Sequence, residues 1–260
     1  MLDTGEHDLP AVVCLHSLFL GPHMFDRLVA SGKGRFRFLQ PTFPGQGDRI
    51  DEATAPVTMD DCVEDLASAL ERAGVRRYSL VAQSMGGDVA VRLAASNPDA
   101  VEALVLIGTS VRAEPPEQMA EFRAVADHIE EAGFDAGMQQ VVLEIMLGAS
   151  TRSDPAKQEL VDEFRRQFAA LPARLHHAAR GVIEREDATG LLASITAPTL
   201  VVNGEEDVVR PPAWSADMVR GISGARQVEL KGVGHSPTLE APEVVLPLVL
   251  GFLEDSVRST

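Results

Sequence analysis

Ser84 lies in the run Ala82-Gln83-Ser84-Met85-Gly86, between an apolar stretch at 78–83 and a helical pattern at 88–95. A serine hydroxyl becomes a useful nucleophile only when a base removes its proton and a third group orients that base. A strand, a five-residue turn and a helix suit this chemistry, because a tight turn lifts the hydroxyl clear of the sheet. Side chains two positions either side would then collide, so Ala82 and Gly86 are small for a steric reason. The Met85 N–H opens the helix and is placed to donate to an oxyanion. A serine that only caps a helix is the alternative, since Ser is a favoured N-cap. Its companions decide between the two. Downstream, one loop reads Gly204-Glu205-Glu206-Asp207-Val208-Val209-Arg210-Pro211 and offers three carboxylates. Another reads Gly232-Val233-Gly234-His235-Ser236 and offers an imidazole.

The elements that must hold these loops can be read from hydrophobic pattern. Short apolar or β-branched runs at 11–15, 36–40, 78–83, 103–107, 199–203 and 227–230 alternate with longer helical patterns. Alternation of this kind argues for βαβ units, and near-continuous hydrophobicity argues for parallel strands covered on both faces. Residues 59–73 carry Val63, Leu66, Ala67 and Leu70 at helical spacing before Gly74 supplies a stop. A helical pattern at 244–253 contains Pro247, which predicts a kink or a later start. From 111 to 192 the alternation breaks, and amphipathic patterns at 117–132, 137–147 and 157–169 run without a convincing strand. This block reads as an inserted helical cap, leaving 1–110 and 193–260 as the core.

With these elements the chain resembles an α/β-hydrolase of the Ser-His-Asp type over nearly its whole length. The resemblance implies a mostly parallel sheet of six to seven strands flanked by helices, with the customary leading hairpin mostly missing because few residues precede Ala11. It implies the chain order Ser, acid, His, each following a strand. The family pattern Gly-x-x-Asp-x-x-x-Pro, with one residue of slack, makes Asp207 the acid, with Glu205 and Glu206 as rivals. His235 sits in Gly-His-Ser-Pro-Thr-Leu-Glu-Ala-Pro-Glu, which matches the family's Gly-His ending and makes it the base. His7, His23, His128, His176 and His177 are read as solvated or locally bonded, and His16 as a brace for its loop. The family's second oxyanion donor falls on the N–H of Leu18, beside that of Met85. Ser17-Leu18 stands where glycine is usual and resembles the corresponding turn of 3-oxoadipate enol-lactonases. Pro44-Gly45-Gln46-Gly47 matches a family turn with Gln in place of His.

The resemblance also narrows the chemistry. Relatives that open epoxides or remove halides carry aspartate at the elbow, unlike Ser84. Carbon–carbon hydrolases share the serine triad but usually carry Trp after the histidine, where this chain has Ser236. Perhydrolases favour a Gly-Phe oxyanion turn. The expected activity is therefore hydrolysis of a small-to-medium, fairly apolar ester or lactone through a Ser84 acyl-enzyme. Carbon–carbon hydrolysis, perhydrolysis or acyl transfer on the same triad are the alternatives, with a non-catalytic binder as the rival from another class. Phe19, Met119, Phe122, Met138, Val142 and Met146 are the expected pocket linings.

Composition excludes other classes. Of 260 residues 45% are hydrophobic and 24% charged, an ordinary globular balance. A formal net charge of −16 disfavours nucleic acid and anionic membranes, both of which need basic surface. Cys14 and Cys62 are too few for a disulfide framework and are read as buried thiols. The acidic N-terminus lacks signal-peptide character, and no apolar run is long enough to span a bilayer, so a soluble, cytoplasmic protein is expected. No metal is expected, since the remaining His and Asp lack ligand spacing, and no cofactor is implied. Trp214 is read as helix packing.

Overall fold

The computed structural model describes residues 1–258. In chain order it contains β1 (Leu2–Asp3), β2 (Ala11–Leu15), α1 (Asp26–Gly32), β3 (Arg37–Gln40), α2 (Met59–Arg72), β4 (Tyr78–Gln83), α3 (Met85–Ser96) and β5 (Val101–Ile107). Five helices follow without a strand: α4 (Pro116–Ala132), α5 (Ala136–Met146), α6 (Ala149–Ser153), α7 (Gln158–Ala169) and α8 (His176–Ile183). The chain then returns to the sheet with β6 (Thr199–Gly204), α9 (Pro212–Gly221), β7 (Arg226–Leu230), α10 (Pro237–Glu240) and α11 (Pro242–Arg258).

The sheet has seven strands in the order β1-β3-β2-β4-β5-β6-β7, all parallel except β1, which pairs antiparallel with β3. β2, β3, β4 and β6 are buried along their whole lengths, because helices cover both faces and every side chain points into a packed layer. α1 and α11 pack together on one face, with α11 against β5, while α2 and α3 pair on the other and α9 contacts β6 and β7. In α2, Thr58 and Asp61 form a reciprocal capping box, and Cys62, Leu66 and Leu70 supply the buried stripe.

Three sequence expectations are revised. The strand β1 was not expected as an element. Its two exposed residues have no strand pattern and are held by pairing with β3, with Arg37 gripping Asp3 at 2.5 Å. α8 was missed because it is short. Pro247 does not delay α11, since the helix begins five residues earlier, at Pro242, and runs through it. Pro247 faces solvent, while Val245, Leu246, Val249, Leu250, Phe252 and Leu253 are buried. One missing backbone hydrogen bond is outweighed by that apolar face.

The strand order explains where a site can form. From β2 the chain moves to β3 on one side, and β4 then lies on the other side of β2. Chains leaving β2 and β4 at their C-terminal ends therefore diverge, and a crevice opens at that switch point. The β2 exit leads to Leu18 and the β4 exit to Ser84.

Candidate active site

Ser84 closes β4 with φ 52° and ψ −117°, a conformation side chains rarely adopt. It is held there from several directions. The Ser84 N–H donates to the Ile107 carbonyl at 3.0 Å, and the Thr109 hydroxyl donates to the Ser84 carbonyl at 2.6 Å. Gly86 is obligatory on steric grounds: a Cβ there would stand 2.3 Å from the Leu15 carbonyl oxygen and 2.9 Å from that of His16. Ala82 is fully buried within β4, paired between Leu15 and Leu106, so its methyl is accommodated.

The three sequence candidates meet here. His235 Nε2 lies 2.8 Å from Ser84 Oγ, and His235 Nδ1 lies 2.8 Å from Asp207 Oδ2. A carboxylate against Nδ1 makes that nitrogen the donor, which leaves Nε2 as the acceptor facing the hydroxyl. The other carboxylate oxygen, Asp207 Oδ1, accepts from the Val209 and Arg210 N–H groups at 3.0 and 2.8 Å. The rival carboxylates point elsewhere. Glu205 accepts from the Gly232 N–H, and Glu206 accepts from Ser150. All three members of the relay are buried. A hydroxyl, an imidazole and a carboxylate in this order can shuttle one proton on and off an attacking oxygen.

Across the switch-point crevice the N–H groups of Leu18 and Met85 have no backbone acceptor among the described residues. Met85 is the first residue of α3, where helix geometry supplies no carbonyl. Phe19 has φ 68°, so the loop after β2 also holds a side-chain-bearing residue at positive φ. His16 braces that loop. Its Nε2 accepts from the Phe43 N–H at 3.1 Å, which puts the proton on Nδ1, bonded to the Ser17 carbonyl at 2.9 Å. Burial holds its pKa down to about 4.

Sequence reading missed several supports. Gly108, directly after β5, has φ 49°, and a Cβ there would crowd the His235 carbonyl at 2.9 Å and Asp207 Oδ2 at 3.4 Å. Gln83 donates to the His235 carbonyl and accepts from Thr238. Buried Glu240 accepts from the N–H groups of Gly234, Ser236 and Gly148, which ties the histidine loop to the turn before α6. A glycine after a strand and a glutamate five residues after the histidine were the only sequence signals for these roles.

Above Ser84 lies a cavity of about 590 Å³, counting its mouth to solvent. Its wall is mostly apolar: Leu18, Phe19, Phe122, Val125, Ile145, Met146, Ala179, Val182, Ile183 and Val209, with Ser17, Ser84 and His235 also in the lining. Of the residues expected to line a pocket, Phe19, Phe122 and Met146 do. Met138 and Val142 are buried in the packing of α5, and Met119 packs partly buried against the core. The missed walls are Val125 of α4, Ile145 of α5, Ala179, Val182 and Ile183 of α8, and Glu114, Val209 and Arg210 of the connecting loops. The rings of His176 and His177 lie 4.0 Å apart, tilted by 48°, outside the lining. Trp214 packs under the guanidinium groups of Arg112 and Arg210. Both cysteines are free and buried, and burial pushes their thiols up. Among the described residues no cluster of His, Cys, Asp or Glu could hold a metal ion, and no helix is long and apolar enough to cross a membrane.

A family model described as the alpha/beta hydrolase family matches residues 12–248. The chain belongs to that family. Within it, this hydrolase is 30% identical to a pimeloyl-[acyl-carrier protein] methyl ester esterase of Nitrosomonas europaea, over 90% of this chain and 92% of that one. It is 29% identical over 96% of its length to polyketide synthase ThaQ of Burkholderia thailandensis, of which it spans 12%. The solved enol-lactonase of Burkholderia xenovorans LB400 superposes with a TM-score of 0.87 at 25% identity, covering 97% of this chain and 95% of that one.

Proposed function

We propose that this α/β-hydrolase cleaves a carboxylic ester or lactone through an acyl-enzyme on Ser84. The observation that carries the reading is the unbroken relay of Ser84 Oγ, His235 and Asp207, with both links at 2.8 Å, whose serine and histidine line a mostly apolar cavity. Esterase and enol-lactonase relatives support it. The helical segment 111–192 serves as a cap over a core of 1–110 and 193–260.

In the reaction, Ser84 Oγ attacks the substrate carbonyl while its proton passes to His235 Nε2. Asp207 holds the imidazole in the donor tautomer at Nδ1 and stabilises the imidazolium. The carbonyl oxygen becomes an oxyanion and accepts from the Leu18 and Met85 N–H groups, which are already aimed by the strained turns at Phe19 and Ser84. Collapse expels the alcohol, which takes the proton from His235. In a lactone the alcohol stays attached to the acyl group. Water then attacks the acyl-enzyme, again losing its proton to His235, and Ser84 leaves with that proton as the acid is released.

The test is release of p-nitrophenol from esters with acyl chains of two to twelve carbons by wild type, Ser84→Ala and His235→Ala. Turnover that falls by at least about 10³-fold in both variants is expected. Silence on every ester, together with no labelling of Ser84 by a fluorophosphonate, overturns the reading.

A further inference from the structure

One part of the cavity wall is not apolar. Glu114 and Arg210 both line it, and they are only 5% and 6% exposed. They belong to a buried ionic chain that joins the two ends of the helical segment to the core. Glu114 Oε1 pairs with Arg210 Nη2 and with Arg185 Nη1, each at 2.7 Å. Arg185 Nε reaches Asp88 Oδ2 at 3.4 Å, and Asp88 Oδ1 accepts from Arg92 at 2.6 Å. Burial lowers the Arg210 pKa to about 10 and raises that of Asp88.

The chain has hydrogen-bonding capacity left over, and its surplus has both signs. Glu114 Oε2 is buried without a partner among the described residues. Arg210 commits Nη1 to the Val209 carbonyl and Nη2 to Glu114, and its other guanidinium N–H groups have no acceptor among the described residues. An apolar substrate chain on this wall would leave the buried acceptor and the spare donors unpaired, which is unfavourable. A substrate carboxylate would meet the charge of Glu114, and a substrate ammonium would meet those of Arg210 and Arg185. The group that suits a carboxylate already shared by two guanidinium groups, with one free acceptor beside free donors, is neutral and carries donor and acceptor together.

Resting on the ester or lactone reading above, we propose that Glu114 and Arg210 form a subsite for a neutral hydrogen-bonding group of the substrate, an amide N–H/C=O or a hydroxyl. Glu114 Oε2 accepts its proton and Arg210 donates to its oxygen. The rest of the substrate lies on the apolar wall, with the scissile carbonyl at Ser84. The pair then determines which esters or lactones are used, and it takes no part in proton transfer.

The experiment compares p-nitrophenyl esters of matched acyl length. They carry a secondary amide, a hydroxyl, a methyl ether, a carboxylate, an ammonium or no substituent, scanned along the chain. In wild type, the amide or hydroxyl ester exceeds the ether and hydrocarbon analogues in kcat/KM by about tenfold or more at one position. The better of the two identifies the group. Glu114→Gln presents a donor where the free acceptor stood and reduces that advantage to below about threefold. If this variant does not fold, the wild-type ranking decides alone. Equal rates for hydroxyl, amide, ether and hydrocarbon esters at every position overturn the proposal, as does a preference for the carboxylate or ammonium. If no ester is turned over, calorimetry on Ser84→Ala with methyl ketones bearing the same groups decides. The same ranking upholds the subsite although the ester reading has failed, and a flat ranking rejects it.

Discussion

Gly86→Ala puts the geometry of the oxyanion site to a direct test. The added Cβ would lie 2.3 Å from the Leu15 carbonyl oxygen, 2.6 Å from its carbon and 2.9 Å from the His16 carbonyl oxygen. All three are backbone atoms at the exit of β2, so no side chain can rotate away. A carbon and a carbonyl oxygen need about 3.2 Å, so the two backbones must separate by about 0.9 Å. The segment pushed from one side leads through Ser17 to Leu18, and the segment pushed from the other begins with Met85. The two N–H groups proposed to hold the oxyanion are thus moved apart. Loss of one such donor lowers kcat by about 10²–10³-fold, and a misplacement near 1 Å has a similar effect. KM should change little, because the apolar wall is untouched. Overpacking of a closely packed site costs about 1–3 kcal/mol, which for a chain of 260 residues lowers the Tm by roughly 2–12 °C. Steady-state kinetics on the best p-nitrophenyl ester, with a thermal melt of the same preparation, provide both readings. A folded variant with kcat within about threefold of wild type would refute the account, since the contact would then be relieved without disturbing the donors.

Other outcomes follow from the same site. Asp207→Asn keeps the shape of the acid but accepts less well from His235 Nδ1, so kcat should fall by about 10⁴-fold with the fold intact; a loss below tenfold would reassign the acid. Glu240→Ala strands the buried N–H groups of Gly148, Gly234 and Ser236 and should destabilise by about 3 kcal/mol or more, seen as a lower urea midpoint. An unchanged midpoint would refute that role. His16, with a folded pKa of about 4 against 6.5, binds its proton more readily unfolded. Its contribution is complete above about pH 6.5 and is lost as pH falls toward 4, about 3 kcal/mol in all. Chemical denaturation between pH 7 and 4.5 should show a steeper loss in wild type than in His16→Gln, and parallel curves would contradict the assignment.

How much of this was legible depended on the kind of signal. The turn at Ser84 could be read because steric demand acts within a few residues, through Ala82 and Gly86. The parallel strands could be read because burial on both faces leaves uninterrupted apolar runs. α8 and the two-residue β1 have no comparable local signature, and Pro247 misled because the neighbouring burial that outweighs it is tertiary. Asp207 was separated from Glu205 and Glu206 in the sequence only by the family pattern. In the fold, Gly232 and Ser150 engage the two glutamates, while Asp207 alone meets His235.

By itself the sequence determined the order of hydroxyl, carboxylate and imidazole along alternating elements, because backbone sterics and hydrophobic period are local. Only the tertiary structure decided the cavity wall and the chain of Arg92, Asp88, Arg185, Glu114 and Arg210. Charged residues have no period, and Glu114 and Arg185 are 71 residues apart in sequence. What brings them together is the packing that removes them from water, where an ionised group requires a partner.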